Sequence, residues 1–344
     1  MSQSQPAVPQ TPPHAALLEM LTGKWISTMV SAVAYFRAAD HLASGPKTTR
    51  ELADVTGACE PSLYRLLRAA ASVGIFTELE DGRFANTPLS EPLRSDAVPC
   101  IRNMALMMLD DFHVSSWANL PWCVENGKPA PYKLYGMRSF EWFAQNPGKT
   151  VNFHNAMSDL SQADSPVIAA SYDFSQFSSV MDVAGGLGTL LAAILARTPG
   201  LRGVLFEVPP VAVEARRSPI LMADKERVEI LGGSFLDDVP GGCDAYILKH
   251  ILHDWEDADA NRILRNVHKA IGNNGKLLVI EQVVSPRNEP GMAKIMDLEM
   301  MVLPGGRERT ETEWKELLQA SGFRLGRIIH TPIPQSIIEA IPAS

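Results

Sequence analysis

The sequence predicts an α/β protein, with a doubly wound, mostly parallel sheet preceded by a helical N-terminal domain of winged-helix pattern. Three observations predict it. From about Ser178, short apolar runs alternate with helical stretches: SVMDVAG before TLLAAILART, GVLFEV before a helix, VEILGGSF, AYILKHI before DANRILRNVHKAI, then KLLVIEQVV. Parallel strands need crossover helices, so this alternation implies a parallel sheet. A glycine-rich turn, AGGLG, joins the first of these strands to its helix. Upstream, TTRELADVTGACEPSLYRLLRAAASVGIFTELEDGRFANTPLS parses as helix, turn, helix and a hairpin around Asp81-Gly82.

Taken in order, residues 1–13 (MSQSQPAVPQTPP) are polar and proline-rich and are expected to be a disordered lead-in without signal-peptide character. Residues 15–43 read as helical, with Leu17, Leu18, Leu21, Trp25, Met29, Val33 and Phe36 at three- and four-residue steps. The winged-helix stretch, within an expected domain of 14–110, invites a DNA-binding reading. Its charges argue against one: residues 47–94 hold six basic and seven acidic side chains, whereas a DNA reader needs a positive face for phosphates. Packing or dimerisation is the expected role. Residues 111–177 are expected to be a mostly helical linker rich in Met, His and aromatics, ahead of the α/β domain at 178–344.

Composition narrows the function classes. A chain of 344 residues with 46% hydrophobic and 20% charged residues suits a globular protein with a real core. A net charge of −8 disfavours nonspecific binding to nucleic acid or anionic membrane. No run reaches the roughly 18 uninterrupted apolar residues of a membrane span. Cys59, Cys100, Cys123 and Cys243 show no paired spacing, which argues against a zinc site or disulfide framework and suits a reducing cytoplasm.

The glycine loop is the first sign of a ligand. Gly185, Gly186 and Gly188 stand where a strand meets a helix, a place for a tight turn and close backbone approach. Nineteen residues after Gly188, Glu207 ends the next strand, where a carboxylate can accept hydrogen bonds from two ribose hydroxyls. A nucleoside-containing ligand at the sheet's switch point is implied. The dinucleotide fingerprint fails, because its third glycine would fall at Leu191, and no P-loop lysine follows.

The stretches DVAGGLG, FEVPP, LKHILHDW, GKLLVIEQVV and PGGRERT occur in the order and approximate spacing of one family. The chain resembles plant caffeate/flavonoid-type O-methyltransferases and, more closely, their bacterial and fungal relatives in secondary metabolism, over nearly its whole length. The resemblance implies a Rossmann-like methyltransferase domain and S-adenosylmethionine as methyl donor, with S-adenosylhomocysteine as product. It also implies a homodimer built by interlocking N-terminal helices, and no catalytic metal. Cofactor contacts are implied for Asp182, Gly185, Gly186, Gly188, Glu207, Ser234, Phe235 and Lys249. The chain departs from the family pattern at four places: Ala184 replaces a loop glycine, tolerable if its backbone is not left-handed; Leu187 precedes the last loop glycine; Glu207 replaces Asp; and Ser234 replaces an acid near the adenine.

His253 matches the family's base. A phenol with a pKa of roughly 10 carries little anion at neutral pH, and a histidine within reach can take its proton. Such a base needs its other nitrogen held by an acceptor. Glu281, a carboxylate inside the apolar strand LLVIEQVV, and Glu308, in GGRERT, match the bracing acids. Asp254 is expected to cap the next helix, orient the loop or meet substrate; His250 and His268 are expected to be structural or solvated. Met108, Phe112, Phe153, Met157, Met296 and Met300 are expected to wall an acceptor slot, for which adaptable methionine is suited. Met104, Met107 and Trp117 are further wall candidates, and His113 and His154 are candidate polar contacts. The expected activity is methylation of a phenolic or enolic hydroxyl of a small aromatic natural product. Rival readings are a non-methylating enzyme with the same fold and cofactor, pericyclase- or hydroxylase-like, and a winged-helix regulator that senses a ligand.

Overall fold

The computed structural model describes residues 12–343, so the expected lead-in lies largely outside the described residues. Pro13 already opens the first helix, where its missing N–H costs nothing. The chain forms two compact units, one up to Asp110 and one from Asp111.

In the first unit the helix Pro13–Tyr35 stops before Arg37, which takes a left-handed backbone, and a short helix Ala38–His41 follows. The helix Thr49–Thr56 starts at a capping box between Thr48 and Glu51 and ends at left-handed Gly57. The helix Glu60–Ser72 leads into the hairpin of strands β1 (Phe76–Glu78) and β2 (Phe84–Asn86). Leu52, Leu63, Leu67, Phe76 and Phe84 close its core. The long first helix leaves Leu17, Leu21 and Trp25 exposed, Trp25 by 72%.

The second unit contains the main sheet. Strands β3 (Ser179–Val183), β4 (Arg202–Glu207), β5 (Val228–Gly232), β6 (Ala245–Lys249) and β7 (Lys276–Val284) are parallel. The short β8 (Arg309–Thr310) runs parallel to the end of β7. Strands β9 (Phe323–His330) and β10 (Gln335–Pro342) form an antiparallel pair that adds to β7, giving the order β5-β4-β3-β6-β7-β10-β9. This hairpin is absent from the sequence reading, which follows the alternation only to Val284.

Side chains alternate between the sheet's two faces, as the strand period requires. Met181, Val183, Tyr246, Leu248, Leu277 and Val279 pack into one core with the helices Asp257–Ile271 and Glu311–Ala320. Val180, Ala245, Ile247, Leu278 and Ile280 pack into the other with the helices Thr189–Arg197 and Val151–Ser171. The strand order reverses at β3, so the loops after β3 and β6 diverge to opposite sides and leave a crevice at their C-terminal ends.

Candidate active site

The carboxyl ends of β3, β4 and β6 carry the first half of the site. After β3 the chain turns through Ala184 (φ 58°), Gly186 (φ 61°) and Gly188 (φ 84°), all left-handed. Ala184 is thus the conformation the sequence reading took as the unfavourable case. It is held there by its N–H, which donates to the Phe206 carbonyl at 2.7 Å. Gly185 is needed for another reason: a Cβ there would overlap the Asp182 carboxylate. Glu207, at the end of β4, accepts from the Gly186 N–H at 3.0 Å and the Val208 N–H at 2.8 Å. Its carboxylate is therefore fixed across the mouth of the loop, and burial raises its pKa.

Asp182 is 1% exposed, and its Oδ2 has no hydrogen-bond partner. Burial pushes its pKa up to about 7, against the pull of the Lys249 charge and with a push from Glu207. Lys249, ending β6, donates to Ser161 Oγ at 3.1 Å. Burial lowers its pKa while the charges of Asp164, Asp182 and Glu281 raise it. Past β5, the Ser234 hydroxyl oxygen accepts from the Leu236 N–H at 3.3 Å. Phe235 meets Trp255 edge to face at 6.0 Å.

The second half is built on the turn that follows β6. His250 has a left-handed backbone (φ 55°), its ring contacts Gln335, and burial and the neighbouring charges of Lys249 and His253 hold its pKa well below 6.5. His253 is 7% exposed, and its Nδ1 lies 2.8 Å from Glu308 Oε1 and 3.4 Å from Glu281 Oε2. Both carboxylates therefore face one ring nitrogen. Glu281 also accepts, through Oε1, from the backbone N–H groups of Ile251 and Leu252 at 2.9 and 3.1 Å. It anchors the turn as well as facing the ring. Asp254 Oδ1 stands 3.6 Å from Nε2, on the ring's other side. It does not cap the next helix, whose N-cap is Glu256. Burial would push the His253 pKa down, but Glu281, Asp254 and Glu308 override it and raise it to about 10. Burial raises Asp254 to about 6 and Glu281 to about 7. The donor atoms of His253, Glu281 and Glu308 lie within 4.8 Å of one another, a grouping that a metal ion can also use.

Sequence reasoning missed what presses this turn into place. A Cβ on Gly306 would lie 2.5 Å from the Asp254 carbonyl carbon and 2.6 Å from the Trp255 nitrogen. The Arg307 N–H donates to the His253 carbonyl at 2.8 Å. The Glu308 N–H donates to Asp297 Oδ1 at 2.8 Å. Asp297 and Glu299 interrupt the apolar helix Met292–Val302, the same signal that singled out Glu281 in its strand.

The expected wall residues divide. Phe112 is buried in an aromatic cluster, stacked on Trp142 at 4.7 Å and Tyr135 at 5.5 Å, and Phe153 reaches that cluster through Phe143 at 4.7 Å. Met157 and Met296 are half-buried, and Met300 is buried. Met108 belongs to the first unit and is 40% exposed. His113 pairs with Glu299 at 3.1 Å, and Trp117 donates to the same carboxylate. His268 packs its ring edge to face on Phe323 at 5.0 Å.

Comparison with known proteins identifies the family. Residues 117–324 match the O-methyltransferase domain family, and residues 18–96 match the O-methyltransferase dimerisation domain. The phenazine O-methyltransferase PhzM of Lysobacter antibioticus is 39% identical over 331 residues, covering 96% of this chain and 97% of that protein. The mitomycin biosynthesis 6-O-methyltransferase of Streptomyces lavendulae is 37% identical over 331 residues, covering 94% of each. The solved structure of LaPhzM, 39% identical, superposes with a TM-score of 0.90 over 96% of this chain and 100% of that one. With a glycine loop and carboxylate at the switch point and a doubly braced histidine beside them, the chain belongs to the S-adenosylmethionine-dependent O-methyltransferase family.

Proposed function

We propose that this protein methylates a phenolic or enolic hydroxyl of a small aromatic natural product, with His253 as general base. The observation that carries the reading is the imidazole whose Nδ1 is held at 2.8 Å by Glu308, which leaves Nε2 as the nitrogen able to accept a proton. The named activities of the relatives, on phenazine and mitomycin compounds, support an acceptor of this class.

The site suits the cofactor. Gly185 has no room for a side chain, Glu207 is aimed across the loop for a ribose diol, and Asp182 offers an unpartnered buried oxygen. Ser234 and Phe235 would border the adenine, the Ser234 hydroxyl donating to a ring nitrogen; Lys249 would lie near the same ligand. When bound, S-adenosylmethionine supplies a methyl group on a cationic sulfur, open to in-line displacement by an oxygen nucleophile.

The chain's own residues do the rest. Neutral His253 accepts the acceptor's hydroxyl proton at Nε2, and the imidazolium is stabilised by Glu308 and Glu281. An unperturbed imidazole, with a pKa about 3.5 units below a phenol's, would face an uphill transfer of ~5 kcal/mol. Raised to about 10, His253 matches the phenol and the transfer is nearly level. Asp254, 3.6 Å from Nε2, would orient the hydroxyl. Met157, Met296, Met300, Phe112 and Phe153 are assigned to the acceptor side. The exposed apolar helix face of the first unit, in a domain of the dimerisation family, supports a homodimer.

The test is transfer of label from methyl-labelled S-adenosylmethionine to a panel of phenols, beside His253→Gln and with EDTA present. Transfer that falls ~10²–10⁴-fold in the variant and is untouched by EDTA supports the reading. Full activity of His253→Gln would overturn the base assignment, and abolition by EDTA would make the buried cluster a metal site. Cofactor binding with no labelled acceptor would favour a non-methylating reaction.

A further inference from the structure

We infer that Arg309 is a positioning residue for the base: its guanidinium clamps the turn that carries His253 and sets that ring against Glu308. This rests on the reading of His253 as base. Arg309 is 1% exposed, which is rare for an arginine and expensive unless every donor is matched. All of them are. Nη1 donates to the Leu252 carbonyl at 3.0 Å and the Arg307 carbonyl at 3.3 Å. Nη2 donates to the Trp255 carbonyl at 3.2 Å and Asp257 Oδ1 at 2.7 Å. Nε donates to the same Asp257 oxygen at 3.2 Å. The guanidinium carbon lies 5.3 Å from the centre of the Trp314 ring.

The targets give the clamp its meaning. Leu252 and Trp255 bracket His253 and Asp254, and their carbonyls are held by one rigid, planar group. That group belongs to the residue next to Glu308, whose carboxylate holds the His253 ring. β8, which begins at Arg309, is tied to the end of β7, the strand that carries Glu281. One short strip therefore fixes both the distance between His253 and its hydrogen-bond partner and the path of the turn between them. Lysine cannot replace this: a point charge with three donors does not span the carbonyls and the carboxylate together.

Three variants test the inference in the full-length protein: Arg309→Lys, Arg309→Met, and Leu317→Ala as a control. Leu317 is buried in the same core and makes no hydrogen bond to the turn. The readouts are melting temperature, kcat and KM for both substrates, the pH profile, and the low-field proton NMR signal of the His253 Nδ1–H. Arg309→Lys is expected to lose kcat by ~10–100-fold, as misplacement of a reacting group by about 1 Å does, with KM for S-adenosylmethionine within twofold. The Nδ1–H signal should shift or broaden away in both Arg309 variants and stay in Leu317→Ala, whose loss should be confined to stability. Partial return of activity on adding guanidinium ion to Arg309→Met would support the clamp. An unmoved Nδ1–H signal with unchanged kcat in Arg309→Lys would overturn it, as would equal effects in all three variants. The NMR signal is read without turnover, so a failure of the clamp is distinguishable from a failure of the base assignment, which His253→Gln reports.

Discussion

Gly306→Ala isolates the geometric demand that the turn places on its neighbour. The glycine is not in the left-handed region, so the substitution introduces no left-handed strain and adds only a methyl group. That methyl would sit 2.5 Å from the Asp254 carbonyl carbon and 2.6 Å from the Trp255 nitrogen. The methyl would also overlap the His253 carbonyl oxygen, its nearest neighbour; with ordinary approach of a carbon to backbone atoms at about 3.3 Å or more, backbone must move by more than ~1 Å. Neither side can yield cheaply. The turn is held by Glu281 through two backbone N–H groups, and the 307–309 strip by Arg307 N–H on the His253 carbonyl. A displacement of about 1 Å between base and acceptor is worth ~10²-fold in rate. Overpacking of this kind costs about 1–3 kcal/mol in stability. The assay is kcat with saturating cofactor and acceptor, beside a melting curve and a cofactor-binding measurement. The expected result is kcat down by about 10²-fold, a modestly lower melting temperature and cofactor affinity within a factor of three. A fully active Gly306→Ala protein would refute the idea that close approach of these two segments sets His253 for the proposed reaction.

Three other outcomes follow from the charges and the backbone. On the proposed reading, His253 acts as a base when neutral; with its pKa raised to about 10, kcat/KM should climb with pH from 7 toward 10, and Glu308→Gln, which removes one of the charges raising it, should move the limb to lower pH as the rate falls. The sign for stability is the reverse: the raised imidazole stabilises the fold fully below pH ~6.5, and that contribution is lost as pH rises through about 10. Asp182, raised to about 7, likewise binds its proton more tightly when folded, so its stabilising effect is present below pH ~3.9 and lost toward pH 7, a ceiling of ~4 kcal/mol. Asp182→Asn should therefore lose less melting temperature between pH 5 and 8 than the parent, and parallel curves would count against a buried, strained carboxylate. Ala184→Gly should relieve left-handed strain of about 1–2 kcal/mol and forfeit about 0.4–1 kcal/mol of chain entropy. A net gain of roughly 0.5–1 kcal/mol, read by urea unfolding, is expected; destabilisation would show that the alanine side chain contributes packing there.

Much of the protein was legible in one dimension because the relevant physics is local. Apolar runs such as AYILK and KLLVI belong to strands buried on both faces, and they appear in β6 and β7. The Thr48–Glu51 capping box and Gly57 terminate one helix by neighbour chemistry alone. Glycines between strand and helix, with a carboxylate ending the next strand, mark the switch point between β3 and β6 from the sequence alone. The final hairpin, β9 and β10, was missed because it pairs with β7 rather than extending the alternation of strand and helix.

What sequence by itself determined, then, is the fold class and the glycine loop, and it singled out His253, Glu281 and Glu308 as the residues to propose for base and braces. Only the tertiary structure decided how they are used. It put both acids on Nδ1 and Asp254 by Nε2, made Glu281 an anchor of the turn as well as a charge, and gave Ala184 a left-handed backbone. It also buried Arg309 over the carbonyls of Leu252 and Trp255. The physical reason is separation along the chain: His253, Glu281, Asp297 and Gly306–Arg309 lie on different elements, and only packing of β6, β7 and β8 side by side brings their atoms within hydrogen-bond range.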